Sequence, residues 1–229
     1  MNLTKYWKGF VSLVYPMTCT NCARPLVDGE ELLCLHCRMD LPLIDYYKVR
    51  DNPLYEYLCG VIEIEAAYAY MRYQKNGMAQ TLLRQLKYQG SSQTGFVLGK
   101  WLGHAMVSDK LQFDCIVPVP LHLSRMRKRG YNQSLEIAKG MSKVLGTPIM
   151  QHAIVRVSMS TSQAKKSRLD RFKSNQSEYQ VVNQSILEKK RVLLVDDVIT
   201  TGATITSISK LLLDHGVKAL SVACLATGK

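Results

Sequence analysis

The chain has no long uncharged apolar run. Its hydrophobic stretches are short and broken by charge, which excludes a membrane-spanning helix. No secretory leader is expected. The start, MNLTKYWKGFVSLVYP, carries Lys5 and Lys8 inside its apolar pattern and shows no small-residue cleavage site. There are no internal repeats and no low-complexity tract. Disorder of the whole chain is excluded too, because 47% of its 229 residues are hydrophobic. These absences set the expectation of a cytoplasmic chain, or one peripheral at the inner face of a membrane, with no stable membrane insertion. It has material for one full domain and a small second module.

Acidic residues are scarce where they matter. The formal net charge is +12, from 30 Lys+Arg against 18 Asp+Glu. Residues 121–173 hold twelve basic side chains but only two acidic ones, Glu136 and Asp170. A surplus concentrated beside phosphate-type motifs points to polyanionic partners: phosphates, nucleic acid or acidic headgroups.

Four of the seven cysteines form C-x2-C-x11-C-x2-C: Cys19, Cys22, Cys34 and Cys37. Each CxxC makes a tight knuckle presenting two thiolates, and two knuckles close a tetrahedral zinc site. Four thiolates leave no open position, so the Zn²⁺ expected here is structural. Arg24–Gly29 supplies a turn across the gap. Disulfides are disfavoured in a cytosolic chain. Cys59, Cys115 and Cys224 stand in apolar surroundings and read as buried small hydrophobes.

The periodicity predicts an amphipathic helix over 3–14, a zinc module over about 16–42, and a connector over 43–60. As domains this gives 1–45, a connector 46–65, and 66–229. Strands are expected at 66–73, 115–120, 153–157, 179–182, 191–195 and 217–223, and helices at 77–88, 95–107, 132–145 and 203–215. The polar, basic stretch 158–175 has the length of a lid. Strands alternating with helices make an α/β domain with a mainly parallel sheet flanked by helices.

The most informative segment is Val192–Thr204, VLLVDDVITTGAT. A buried strand ends in two acids, and a turn rich in hydroxyls and glycine opens a helix. The carboxyl ends of parallel strands form the ligand crevice. A helix N-terminus holds a phosphate there, and glycine lets the backbone approach it. Carboxylates repel phosphate but accept hydrogen bonds from vicinal hydroxyls. A sugar 5-phosphate satisfies both halves.

This segment resembles the 5-phosphoribosyl 1-pyrophosphate (PRPP) motif of type I phosphoribosyltransferases. The resemblance implies that Asp196 and Asp197 contact the ribose hydroxyls. It also implies that Thr200, Thr201, Gly202, Ala203 and Thr204 wrap the 5-phosphate, and that Mg²⁺ accompanies PRPP. A second resemblance covers nearly the whole chain. The four cysteines, Leu86-Lys87-Tyr88, Val117-Pro-Val-Pro120, the Arg125-x-Arg127-x-Arg129-Gly-Tyr-Asn-Gln133 string, the Gln163…Arg168…Arg171 loop and the PRPP motif follow in order. This is similar to the ComF family, a phosphoribosyltransferase-like group tied to DNA uptake in natural transformation. It implies a type I phosphoribosyltransferase-like fold with an N-terminal four-cysteine zinc module.

Displacing pyrophosphate from a ribose builds negative charge on the leaving group, so cations are needed. The candidates are Lys87, Arg125, Arg127 and Arg129, with Arg168 and Arg171 on the lid; Arg168 joins Asp196 and Asp197 as a catalytic candidate. The acceptor is not readable. Tyr88 and Tyr131 suit either base stacking or the core. Two functions remain. One is a PRPP-binding DNA-uptake factor handling single-stranded DNA or a protein of the uptake machinery. The other is a metabolic phosphoribosyltransferase.

Overall fold

The computed structural model describes residues 16–44, 46, 51–88, 92–108, 111–157 and 178–229. The helix expected over 3–14 lies outside them. In chain order the elements are α1 (Leu35–Met39), α2 (Pro53–Cys59), β1 (Ala66–Arg72), α3 (Met78–Gln85), α4 (Ser92–Met106), β2 (Cys115–Pro118), α5 (Leu123–Arg129), α6 (Gln133–Leu145), β3 (Ile154–Arg156), β4 (Tyr179–Val181), β5 (Arg191–Ile199), α7 (Ala203–Asp214) and β6 (Ala219–Thr227).

Four strands form one parallel sheet in the order β1-β6-β5-β2. Its middle strands are covered on both faces, so they must be apolar on both. Val192, Leu193, Leu194 and Val195 are accordingly buried. Leu193 and Val195 point into the layer of α3, α4 and α6, whereas Val192 and Leu194 point into the layer of α2 and α7. A separate antiparallel pair joins β3 to β4. The fold is therefore the expected α/β type, a parallel sheet with flanking helices.

Two helices are pressed together backbone to backbone. A methyl added at Gly99 would stand 2.1 Å from the Ile137 carbonyl oxygen, and one at Gly140 would stand 2.1 Å from that of Phe96. Only hydrogen fits between α4 and α6 there. This fixes the N-terminus of α6 against the sheet. Asn132 caps that end, its side-chain oxygen accepting from the Ser134 N–H at 3.0 Å while its amide donates to the Val119 carbonyl at 2.9 Å.

Three differences from the sequence reading bear on the site. β5 does not stop at Val195; it runs through both acids to Ile199, because β6 continues to Thr227 and pairs Asp196 with Cys224 and Ile199 with Thr227. The stretch read as a connector contains α2, capped by Asn52, whose side-chain oxygen accepts from the Tyr55 N–H at 3.0 Å. Cys59 is exposed rather than buried, since α2 turns Leu54 and Leu58 to the core and leaves its last residue in solvent. Cys115 and Cys224 are buried as expected.

The cysteine module docks on the sheet edge. Leu43 bridges antiparallel to Met71 on β1, and the Ile44 N–H donates to the Tyr70 carbonyl at 3.1 Å. An otherwise open strand edge is thus covered. Arg38 stacks over Trp101 of α4, 4.4 Å from the ring centroid, and Glu31 pairs with Lys100 at 2.7 Å. Among the described residues no helix is long and apolar enough to cross a membrane.

Candidate functional site

The carboxyl ends of β2 and β5, the N-terminus of α6 and the β3–β4 pair enclose a cavity of about 230 Å³. Asp196 and Asp197 stand on one wall, with Asn132, Gln133 and Ser134 beside them. Lys87, Arg125 and Arg129 bring positive charge to the rim, and Arg156 and Tyr179 close another side. A smaller cavity of about 50 Å³ follows, lined by Thr200, Thr201, Gly202, Ala203 and Thr204. Asp196, Val198 and Thr204 border both cavities, so the two are neighbours along one wall.

The loop owes its shape to Gly202. Its φ of +66° places it in the left-handed region, where it heads α7 without any side-chain cap. The small cavity is thus lined by the first turn of α7, whose leading N–H groups have no intrahelical acceptor, and by Thr200, Thr201 and Thr204.

The acids are crowded. Asp196 is pushed up to about 8, first by burial and then by the Asp197 charge. Asp197 is also raised by burial, and Lys87 and Arg129 pull it back down. Two adjacent carboxylates at the foot of a cationic pocket are suited to hydroxyl donors and to a hard divalent cation. Gln133 is buried. Its side-chain oxygen accepts from Arg129 at 2.8 Å, which turns its amide nitrogen to the other side, and that nitrogen has no partner among the described residues. Tyr179 is raised by burial, with the Arg156 charge opposing, and the Thr204 side chain hydrogen-bonds to it.

Not every expected residue reaches the site. Arg127 is exposed and does not line the cavity. It lies on α5 between Arg125 and Arg129, which share a face at helical spacing. Arg168 and Arg171 lie outside the described residues. Tyr88 is exposed rather than core, and Tyr131 is half-buried with its hydroxyl donating to the Leu86 carbonyl at 2.7 Å. Asn132, Gln133, Ser134, Arg156 and Tyr179 were not anticipated as site residues. The Gly-Tyr-Asn-Gln string held the signal for the first two; a lone Arg at the end of a short strand gives none.

The second constellation is the cysteine cluster. Cys19, Cys22, Cys34 and Cys37 bring their sulfurs within 4.8 Å of one another. The Cys22 and Cys34 sulfurs are 3.7 Å apart, the spacing of two thiolates on one tetrahedral ion. The turn expected between the knuckles is present, with the Glu30 N–H donating to the Val27 carbonyl at 3.0 Å and Gly29 at a φ of +91°, while the Thr18–Pro25 bridge closes a hairpin around the first knuckle.

Comparison with known proteins agrees with this geometry. The family described as phosphoribosyl transferase domain matches residues 119–229. Competence protein F of Haemophilus influenzae is 38% identical over 110 residues, 48% of this chain and 48% of that protein. DNA utilization protein YhgH of Escherichia coli K12 is 32% identical over 149 residues, 63% of this chain and 65% of that protein. Competence protein ComFC of Bacillus subtilis 168 is 33% identical over 107 residues, 47% of this chain and 41% of that protein. The chain thus spans between about two-fifths and two-thirds of the length of these relatives.

Proposed function

We propose that this chain, a ComF-family phosphoribosyltransferase-like protein, binds PRPP with Mg²⁺ and acts in DNA uptake or utilisation. One observation carries the ligand: the wall shared by the two cavities presents, in order, a hydroxyl-and-glycine loop, two carboxylates and a cluster of cations. PRPP presents, in the same order, a 5-phosphate, a vicinal diol and a pyrophosphate. Thr200–Thr204 hold the first, Asp196 and Asp197 the second, and Lys87, Arg125 and Arg129 the third. Mg²⁺, when bound, offsets charge on the pyrophosphate. Arg168, outside the described residues, is proposed to add its charge to that of these cations. In a transfer the C1–oxygen bond to pyrophosphate breaks as a bond from the acceptor to C1 forms. The cations receive the charge that leaves.

The relatives' names supply the DNA context. Helix α5 supports a nucleic-acid role, since none of its residues is buried and Arg127 and Lys128 face solvent beside the cavity rim. Such cations suit the phosphates of single-stranded DNA, or an acidic face of a partner in the uptake machinery. The proposed place of action is the cytoplasm, at or near the inner membrane face. The cysteine cluster is proposed to hold a structural Zn²⁺.

The deciding experiment is calorimetric titration with PRPP and Mg²⁺, with and without short single-stranded DNA. PRPP binding that alters DNA affinity supports the reading. PRPP binding with no DNA coupling favours an ordinary phosphoribosyltransferase and leads to acceptor screening. No PRPP binding refutes the central assignment.

A further inference from the structure

We propose that Tyr57, on α2, is a positioning residue that orients the backbone of the phosphate cradle. The role rests on reading Thr200–Thr204 as the 5-phosphate site. The Tyr57 hydroxyl donates to the Thr201 carbonyl oxygen at 3.0 Å. Tyr57 does not line the small cavity, whereas Thr201 and Gly202 do. It therefore grips the loop from behind.

Peptide planarity converts that grip into ligand geometry. In a trans peptide the C=O of one residue and the N–H of the next point in opposite directions. Holding the Thr201 carbonyl toward Tyr57 turns the Gly202 N–H away from Tyr57. A second clamp acts two residues earlier, where the Thr227 hydroxyl donates to the Ile199 carbonyl at 3.1 Å. By the same rule the Thr200 N–H is turned away from Thr227. Glycine makes the first clamp necessary, because a residue without Cβ lets the Thr201–Gly202 peptide rotate cheaply. Packing adds to it: a Cβ at Gly202 would stand 3.3 Å from Tyr57 Cε1 and 3.3 Å from Leu58 Cδ2, so α2 fills the space behind the loop.

Tyr57 is itself held. The Lys229 ammonium lies over its ring, 4.0 Å from the centroid. The Lys229 carbonyl in turn accepts from the Tyr46 hydroxyl at 2.9 Å. The segment between the cysteine module and the sheet is in this way coupled to the cradle through side chains, not only through the chain.

Tyr57→Phe isolates the effect. It keeps the ring against Gly202 and under Lys229 and removes only the hydroxyl. The full chain and the variant are titrated calorimetrically with ribose 5-phosphate and, separately, with pyrophosphate and Mg²⁺. The expected result is a loss of about three- to tenfold in ribose 5-phosphate affinity, the range for one hydrogen bond, with pyrophosphate affinity and melting temperature unchanged. Unchanged ribose 5-phosphate affinity in the variant overturns the role of Tyr57 and leaves the PRPP reading standing. Equal losses for both ligands, or a matching fall in melting temperature, overturn it as well, since they report general loosening. If the unaltered chain binds no ribose 5-phosphate, the PRPP reading falls and takes this role with it.

Discussion

Ser134 and Asp196 meet across the cavity wall: the serine hydroxyl donates to Asp196 Oδ1 at 3.0 Å, and the Asp197 N–H donates to the same oxygen at 2.8 Å. One carboxylate oxygen is thereby committed to the protein. Both donors favour the ionised form, against the burial that opposes it. Ser134→Ala removes one of them. The Asp196 titration then moves upward, and PRPP affinity at neutral pH falls about three- to tenfold, with most of the loss recovered near pH 9. The check is the midpoint of the affinity–pH profile. A midpoint that stays in place while affinity falls uniformly would mean that Ser134 does not act through Asp196.

The raised carboxyl has two consequences of opposite sign. For binding, the carboxylate must ionise to accept ribose hydroxyls, so a group titrating near 8 releases a proton when PRPP and Mg²⁺ bind at neutral pH. Calorimetry in buffers of different ionisation enthalpy should show that release. For folding, the folded-state value lies above the unfolded one, so the contribution to stability is full below about 4 and is lost as pH rises through about 8. Asp196→Asn should therefore be more stable than the unaltered chain near pH 9 but bind PRPP far more weakly. Identical enthalpies in all buffers would sink the titration assignment.

Gln133 illustrates a cost retained at a ligand site. Its buried amide nitrogen has no partner among the described residues, and an unsatisfied buried donor costs about 1–3 kcal/mol. Gln133→Met keeps the volume and removes the donor. The free protein should melt at the same temperature or higher, while PRPP affinity falls about tenfold or more through the lost hydrogen bond and the disturbed Arg129. A variant that melts lower and binds normally would show that the amide is structural.

Local patterns were legible in the sequence and long-range convergence was not. The run Arg191–Val195 reads as a buried strand because both of its faces are apolar. Its true end at Ile199 depends on β6 pairing alongside, which no local pattern carries. The TTGAT loop and the CxxC pairs are visible because each fixes its own geometry over a few residues. Arg156 and Tyr179 enter the cavity from a small antiparallel pair whose strands are separated by residues 157–178. Tyr57 touches a loop 144 positions away in the chain. Such contacts are made by the folded sheet, so spacing along the chain gives no signal for them. The alternation that exposed the helical faces also misled at Cys59, where an apolar neighbourhood in sequence became the solvent side of a short helix.

The zinc ion proposed for the cysteine module outweighs the module's own packing. The module's buried side chains are few, with Leu33 and Leu41 chief among them, and each contributes about 1.5–3 kcal/mol. A structural zinc ion contributes about 10–16 kcal/mol. Removing the ion should therefore unfold the module and leave the main sheet intact. Cys22→Ser tests this cleanly, because Cys22 is the exposed member of the four and its replacement creates no core defect. The unaltered chain should hold one metal ion and the variant none. Unfolding the module withdraws Arg38 from Trp101 and breaks the Glu31–Lys100 pair. In a Trp7→Phe background the tryptophan emission then reports Trp101 alone, and it should change with chelator in the parent and not in the variant. Ribose 5-phosphate binding should survive, since none of the four cysteines lines either cavity. Full metal content in the variant, or emission indifferent to chelator in the parent, would remove zinc from the account of this module.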